Sequence, residues 1–435
     1  MSPVSQTFDS LPGLVDEYVG LIHSVDCQPI RPQDPQFFHY TAAIADLSRI
    51  TGWDADQLGG GTALTADEAK AKAISEAVER YCANMYSPEE ILVASLNEVA
   101  QWGIDPRRCA LFHAEQYAAP EFPFTPLTEN TRLVWAPGFS LTRDEPTWTP
   151  LSLITMRHAW SDQEQPFDFA PVSGYACGLS LDDALVRGIC EVIERDSLML
   201  NWCNHVPAPR VDLEKLPSVT LRRVLDRFRF SPAKIHCCDL TTDTGIPTYL
   251  AMMLGQDESW PAVVVGTATD LDPVRALEHA LFEVAANNLL IRALLSNSYE
   301  VPRAISDVQS QEAQALFYAD HKRRPQVDHL LAGRLVQLTT CSDDDNDRPR
   351  DARTLVAKLA ERGFEVIYAD LTTPDVEELG FKVVKVIIPG MQPLDFGAFT
   401  KHLGSKRLYE TPKRMGYDIE HKHPDELNRF PPPIA

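Results

Sequence analysis

The stretch ALTADEAKAKAISEAVERYC, residues 63–82, decides how this chain is read. It is an alanine-rich helical run that carries Glu76, Glu79 and Arg80. About 115 residues later LSLDDALVRGICEVIERD, residues 179–196, says nearly the same thing. Aligned on Ala69 and Ala184, each alanine stands seven residues before a glutamate, Glu76 or Glu191. Each glutamate is followed three later by another, Glu79 or Glu194, and then at once by Arg80 or Arg195. A third copy, LDPVRALEHALFEVAANN at 271–288, sets Ala276 seven before Glu283, but its second acidic slot holds Ala286. A fixed spacing met three times marks a repeated structural unit. The unit reads as a turn, an acidic start and a helix of about four turns. Asp67, Glu68, Asp182 and Asp183 suit the positive end of a helix without any further role.

The paired glutamates ask for more. Positions i and i+3 share a helix face, where two carboxylates repel each other. A divalent cation between them removes the repulsion, because hard cations take oxygen ligands. Arg80 and Arg195, four residues after Glu76 and Glu191, can pair a carboxylate or grip a phosphate. One copy alone reads as a salt-bridged solvent face. The apolar flanks and the threefold recurrence point instead to an interior cleft. Three copies facing one another would form an acidic cage for magnesium, justified by a polyanion such as a nucleotide triphosphate.

Composition bounds the alternatives. At 435 residues the chain is large enough for two domains or one large mixed unit. A net charge of −22 argues against a nucleic-acid binder, whose surface is basic. No apolar run approaches the ~20 residues that cross a membrane. The start, MSPVSQTFDS, is no signal peptide, and nine scattered cysteines suggest reduced thiols in a cytoplasmic protein. HCCD at 236–239 lacks zinc-ligand spacing and reads as a buried strand.

Residues 1–37 read as an irregular N-terminal segment, and 38–435 as the main domain with a proline-rich tail, 431–435. RLVWAPGFSL and TWTPLSLITM alternate as strands. AKIHCCDLTT and PTYLAMMLG read as neighbouring strands joined by DTGI, and PAVVVGTATDLDP as a buried strand running into the third helix. Residues 341–350 read as a charged linker. A helix–strand unit, TLVAKLAERGFEVIYADLT, and the strand FKVVKVIIPG follow. The expected class is α+β, with helices on mostly antiparallel sheets. There is no GxxxxGK[ST], no GxGxxG, no GxSxG and no kinase motif set, so any ATP site is of an unusual type.

These pieces resemble the YcaO family of ATP-dependent enzymes that modify peptide backbone amides. The supporting stretches are GGGTALTADEAKAKAISEAVERY, WAPGFSL, SGYACGLSLDDALVRGICEVIERD, GTATDLDPVRALEHALFE, VVKVIIPGMQPLDFG and the ending RFPPPIA. The last two are most similar to the azoline-forming cyclodehydratase branch. The resemblance implies that Glu76, Glu79, Glu191, Glu194 and Asp183 hold magnesium. It implies that Lys72, Glu76, Arg80, Ser173, Asp183, Glu191, Arg195 and Glu283 contact ATP. It places Pro431, Pro432, Pro433 and Ala435 close to the chemistry, with the terminal carboxylate of Ala435 as a candidate base. The chain departs from the family pattern at Lys72, where serine is usual. It also departs at Ser173 and Leu179, where asparagines are usual, and at Ala286, where glutamine is common.

The implied reaction is cyclodehydration of Cys, Ser or Thr in a ribosomal precursor peptide. Phosphorylation of the backbone amide oxygen makes it a leaving group, giving thiazoline or oxazoline. Two alternatives are thioamide or amidine formation by the same family and a non-catalytic ATP-binding scaffold. The expected partners are the precursor peptide, a separate adenylating-enzyme-like protein that recruits its leader, and a flavin-dependent azoline dehydrogenase. A homodimer is a further expectation.

Overall fold

The computed structural model describes residues 14–52, 58–156, 158–168, 172–338, 351–395 and 401–434. The architecture is α+β, and its strands form three sheets. The first sheet runs β1 (Ile22–Cys27), β2 (Phe38–Ile44), β3 (Leu58–Ala63), all antiparallel. The segment before residue 38 is therefore not irregular throughout: β1 pairs along β2, with Val25 opposite Ala42. A second sheet contains β4 (Leu92–Ser95), β5 (Arg132–Ser140), β6 (Glu145–Pro150), β7 (Tyr175–Gly178), β13 (Ile367–Asp370) and β14 (Lys382–Ile387). Its order is β4-β5-β13-β14-β7, with β6 paired to β5. The third has the order β11-β10-β9-β8-β12. Its members are β8 (Arg210–Val211), β9 (Lys234–Asp239), β10 (Thr248–Leu254), β11 (Val263–Thr269) and β12 (Leu335–Val336).

β6 stops at Pro150, and residues Leu151–Ile154, expected to continue the strand, turn helical. Pro150 has no N–H to offer a ladder. β9 and β10 are the expected antiparallel neighbours, and Cys237 and Cys238 are buried in β9. The expected charged linker, 341–350, and Ala435 lie outside the described residues. No helix among the described residues is long and apolar enough to cross a membrane.

The three sequence copies become three helices: α1 (Ala66–Met85), α2 (Leu181–Cys203) and α3 (Pro273–Ser296). Each follows directly on an edge strand of a different sheet: β3, β7 and β11. Thr65, Ser180 and Asp272 cap their first turns by accepting backbone N–H bonds. Ala69, Ala184 and Ala276, the aligned alanines, are fully buried.

Small residues let strand and helix approach. A Cβ on Gly61 would stand 2.0 Å from the Ala69 carbonyl oxygen, and one on Gly266 would stand 2.2 Å from the Val284 nitrogen. The glycine run in GGGT is thus a packing device. Two shorter helices complete the frame used below, α4 (Ala352–Ala360) and α5 (Lys406–Arg414).

Candidate active site

Each repeat holds its first glutamate in the same way. The Gly60 N–H donates to Glu76 Oε2 at 2.9 Å, the Gly174 N–H to Glu191 Oε2 at 2.9 Å, and the Thr267 N–H to Glu283 Oε2 at 2.7 Å. The donor lies on or beside the edge strand and the acceptor on the helix that follows. The repeat read in the sequence is therefore a repeat of hydrogen bonding.

The second acidic slots close the cluster. Thr267 Oγ1 donates to Glu194 Oε1 at 2.7 Å, which ties α2 to the third sheet. Arg80 Nη2 donates to Glu76 Oε1 at 2.9 Å. Arg195 stands 3.3 Å from Glu194 and 3.7 Å from Glu191. Burial, then the Glu191 and Glu76 carboxylates, push Glu79 up to about 8. Burial, reinforced by Glu191 and resisted by Arg195 and Thr267, raises Glu194 to about 7. Burial and the Glu194 carboxylate raise Glu283 to about 8. Five glutamates from three helices therefore converge with fewer positive charges than they need.

Two cationic features, Lys72 apart, were not found by the sequence reading. One is Lys385 on β14, fully buried and facing Glu191 and Glu79. Burial lowers its ammonium to about 7 against the pull of those two carboxylates. The other is a rim one helical turn before the glutamates. Lys72, Arg187 and His279 each stand four residues before Glu76, Glu191 and Glu283, and Arg275 lies near them. That shared offset was the available signal. Burial lowers Lys72 to about 8, and burial and the neighbouring cations push His279 down to about 3, leaving it neutral.

The donor set fits a hard cation carried by a polyanion. Half-buried carboxylates short of countercharge suit magnesium, and the cationic rim suits phosphate. Among the described residues no three His, Cys, Asp or Glu side chains form a ready-made metal centre. A cation here would complete its shell with phosphate or water oxygens. A separate cleft of about 1230 Å³, lined by Arg31, Trp260, Arg292, Arg303 and Arg323, contains none of the five glutamates.

Sequence comparison matches residues 60–392 to the family described as "YcaO cyclodehydratase, ATP-ad Mg2+-binding". The chain belongs to the YcaO cyclodehydratase family. All five glutamates and Lys385 fall inside the matched region. An uncharacterized protein of Methanothermobacter thermautotrophicus is 26% identical over 76% of this chain and 81% of its own. An uncharacterized protein in the tfuA 3' region of Rhizobium leguminosarum bv. trifolii is 27% identical, covering 76% of each.

Among solved structures, a heterocyclase in complex with substrate and cofactor shares the fold, with a TM-score of 0.80 at 24% identity over 99% of this chain. The heterocyclase TruD matches 83% of the chain with a TM-score of 0.63 at 25% identity. This chain spans 57% of the first and 50% of the second. YcaO from Methanopyrus kandleri, bound with AMPPCP and Mg2+, has a TM-score of 0.57 at 18% identity, over 85% of this chain and 86% of its own.

Of the residues the YcaO resemblance pointed to, Glu76, Glu79, Arg80, Glu191, Glu194, Arg195 and Glu283 come together. Ser173 joins them through its backbone, beside the Gly174 donor. Lys72 stays on the rim. Its ammonium donates to the Thr62 carbonyl at 3.1 Å and lies over the Phe282 ring, facing Glu278 and Glu68. Asp183 stands apart. Its carboxylate accepts from Arg187 Nε at 2.9 Å and from the Leu179 N–H, about 12 Å along α2 from Glu191.

The tail is not the free polyproline arm its composition suggests. Tyr318 donates to the Pro431 carbonyl at 2.5 Å, and Trp202 Nε1 to the Phe430 carbonyl at 2.9 Å. Lys401 donates to the Asn428, Arg429 and Phe430 carbonyls at 3.0–3.1 Å. Pro431–Ile434 are buried, and Ile434 packs in the core with Trp202 and Tyr318. Apolar burial and borrowed donors override the solvated state that prolines favour. Trp202 lies about 10 Å along α2 from Arg195.

Proposed function

We propose that the chain is an ATP-dependent peptide cyclodehydratase that forms thiazoline or oxazoline from Cys, Ser or Thr of a ribosomal precursor peptide. One observation carries the reading: three equivalent glutamates, each fixed by a backbone amide on or beside an edge strand, converge with Glu79 and Glu194 near a rim of Lys72, Arg187 and Arg275. A cluster short of positive charge below a cationic rim suits a magnesium-bound triphosphate.

Glu76, Glu79, Glu191, Glu194 and Glu283 would hold the cations, and Arg80 and Arg195 would pair with phosphate oxygens. Bound magnesium–ATP supplies the phosphoryl group that turns an amide oxygen into a leaving group. The residues of this chain orient and neutralise. The amides of Gly60, Gly174 and Thr267 fix three carboxylates in advance, so little reorganisation remains when charge arrives. The buried flanks limit water at the cluster. The proline-rich tail, anchored on α2, is proposed to border the peptide site, with the Ala435 carboxylate as a candidate base. The precursor peptide, a leader-recruiting partner and a flavin-dependent dehydrogenase complete the proposed system, which we place in the cytoplasm.

The test is co-expression with the short peptide encoded beside the gene, followed by mass spectrometry. Loss of one water per ring, with Mg2+-dependent ATP turnover stimulated by peptide, is expected. ATP turnover without any peptide mass loss would sink the cyclodehydratase reading.

A further inference from the structure

Lys385 is a fully buried lysine flanked by Val383, Val384, Val386 and Ile387 in the strand KVVKVI. Such a group is retained only where partners repay its desolvation. Its Nζ donates to the Ser173 carbonyl at 2.6 Å and lies 3.9 Å from the Tyr175 ring centre. β14 pairs with β7, with Lys385 opposite Tyr175. The next residue, Val386, donates its N–H to the Gly174 carbonyl at 2.7 Å. β14 therefore grips two successive carbonyls of the Ser173–Gly174 turn.

That turn differs from its counterparts. Gly60 and Thr267 donate to Glu76 and Glu283 from inside β3 and β11, where the ladders hold the backbone. Gly174 lies one residue before β7 begins, with φ of +92°. A Cβ there would stand 2.3 Å from the Val386 carbonyl oxygen, so the turn is pressed against β14. The donor of the second repeat lies outside the paired strands, where one backbone bond, from Val386, reaches it.

Resting on the nucleotide reading above, we propose that Lys385 is a positioning residue: its ammonium adds a second bond beside that of Val386, fixes the Ser173–Gly174 turn, and through the Gly174 N–H sets the carboxylate of Glu191 for metal–nucleotide binding. Residues that orient a metal ligand from behind typically change affinity by about 10–100-fold when removed. The side chain also places one positive charge between α1 and α2, facing a glutamate of each.

The experiment is Lys385→Met, a substitution of similar shape without the charge. Amide hydrogen exchange is followed at Gly60, Gly174 and Thr267, and AMPPCP binding with Mg2+ is measured by calorimetry. Exchange about tenfold faster at Gly174, with the other two within about twofold, is expected together with an affinity loss of about tenfold or more. Lys382→Met, on the same strand but paired outward with Glu377, is expected to change neither. If Lys385→Met does not fold, Lys385→Gln keeps a donor and is expected to show the same selective exchange at smaller amplitude. Unchanged exchange at Gly174, or equal acceleration at all three amides, overturns the proposal. If the unaltered protein bound no nucleotide, the reading of the cleft would fail, while the exchange pattern would still judge the support role of Lys385.

Discussion

Glu194 and Asp196 are two residues apart on α2 and have opposite surroundings. Asp196 is fully buried and completely answered. Arg407 on α5 donates to both its oxygens at 2.7 Å, and the Gln392 N–H adds a third bond. Asp243 shares the same guanidinium at 2.7 Å. Burial opposes the Arg407 charge, yet Asp196 and Asp243 raise its pKa above the usual value. The nearby His402 repeats the pattern, 2.8 Å from Asp168 and 2.6 Å from Asp395. Burial works against its charge, and the two aspartates still raise it to about 10. Glu194 faces Glu191 and Glu283 and is under-compensated. The first kind of cluster is complete within the fold. The second is left incomplete, which is what a site for cations requires.

Breaking the complete cluster should cost the most stability. Arg407→Met leaves the buried Asp196 carboxylate without its cation and removes one of the two arginines beside Asp243. A loss of about 3–5 kcal/mol is expected, read as a lowered denaturant midpoint with unchanged slope. Deleting residues 431–435 removes Ile434 from the core and the Pro431 partner of Tyr318. A loss of about 2–4 kcal/mol is expected in the same measurement, where a free arm would cost nothing.

The incomplete cluster should behave in the reverse way. Glu191→Gln keeps an acceptor for the Gly174 N–H and removes one repelling charge. The melting temperature should hold or rise, while ATP turnover falls by about 100-fold. Arg195→Lys sharpens the contrast further. A point charge replaces a fork that reaches both Glu191 and Glu194, and turnover is expected to fall about tenfold with stability nearly unchanged. Full activity in Arg195→Lys would make the arginine an ordinary ion-pair partner.

Much of this was legible from one helix. The aligned alanines, the glutamates seven residues on, and the α+β alternation all follow from local spacing. The backbone amides that hold Glu76, Glu191 and Glu283 were not, because a backbone donor leaves no side-chain signature. Lys385 was hidden differently: one lysine among valines in VVKVI reads as an outward position on a strand, and only the sheet shows that both faces are covered. The fastening of the tail was not legible in composition. PPPI suggests an extended, solvated arm, and the donors that fasten it, Trp202, Tyr318 and Lys401, lie up to 228 residues away in sequence. The family spacing also did not point to Arg187, four residues on, as the partner of Asp183.

The glutamate cluster is short of positive charge and is proposed to take it from a metal–nucleotide complex. Glu79 and Glu283, raised to about 8, and Glu194, raised to about 7, hold protons at neutral pH that cation binding must displace. Their ionised forms bind the cation, so affinity should climb as pH rises through 7 to 8 and level off above. Calorimetry of AMPPCP with Mg2+ at pH 7, in two buffers of different ionisation enthalpy, reads the displaced protons directly. The account predicts net proton release and a release that shrinks in Glu79→Gln. Nucleotide binding without proton release, at an affinity constant from pH 6 to 9, would contradict it.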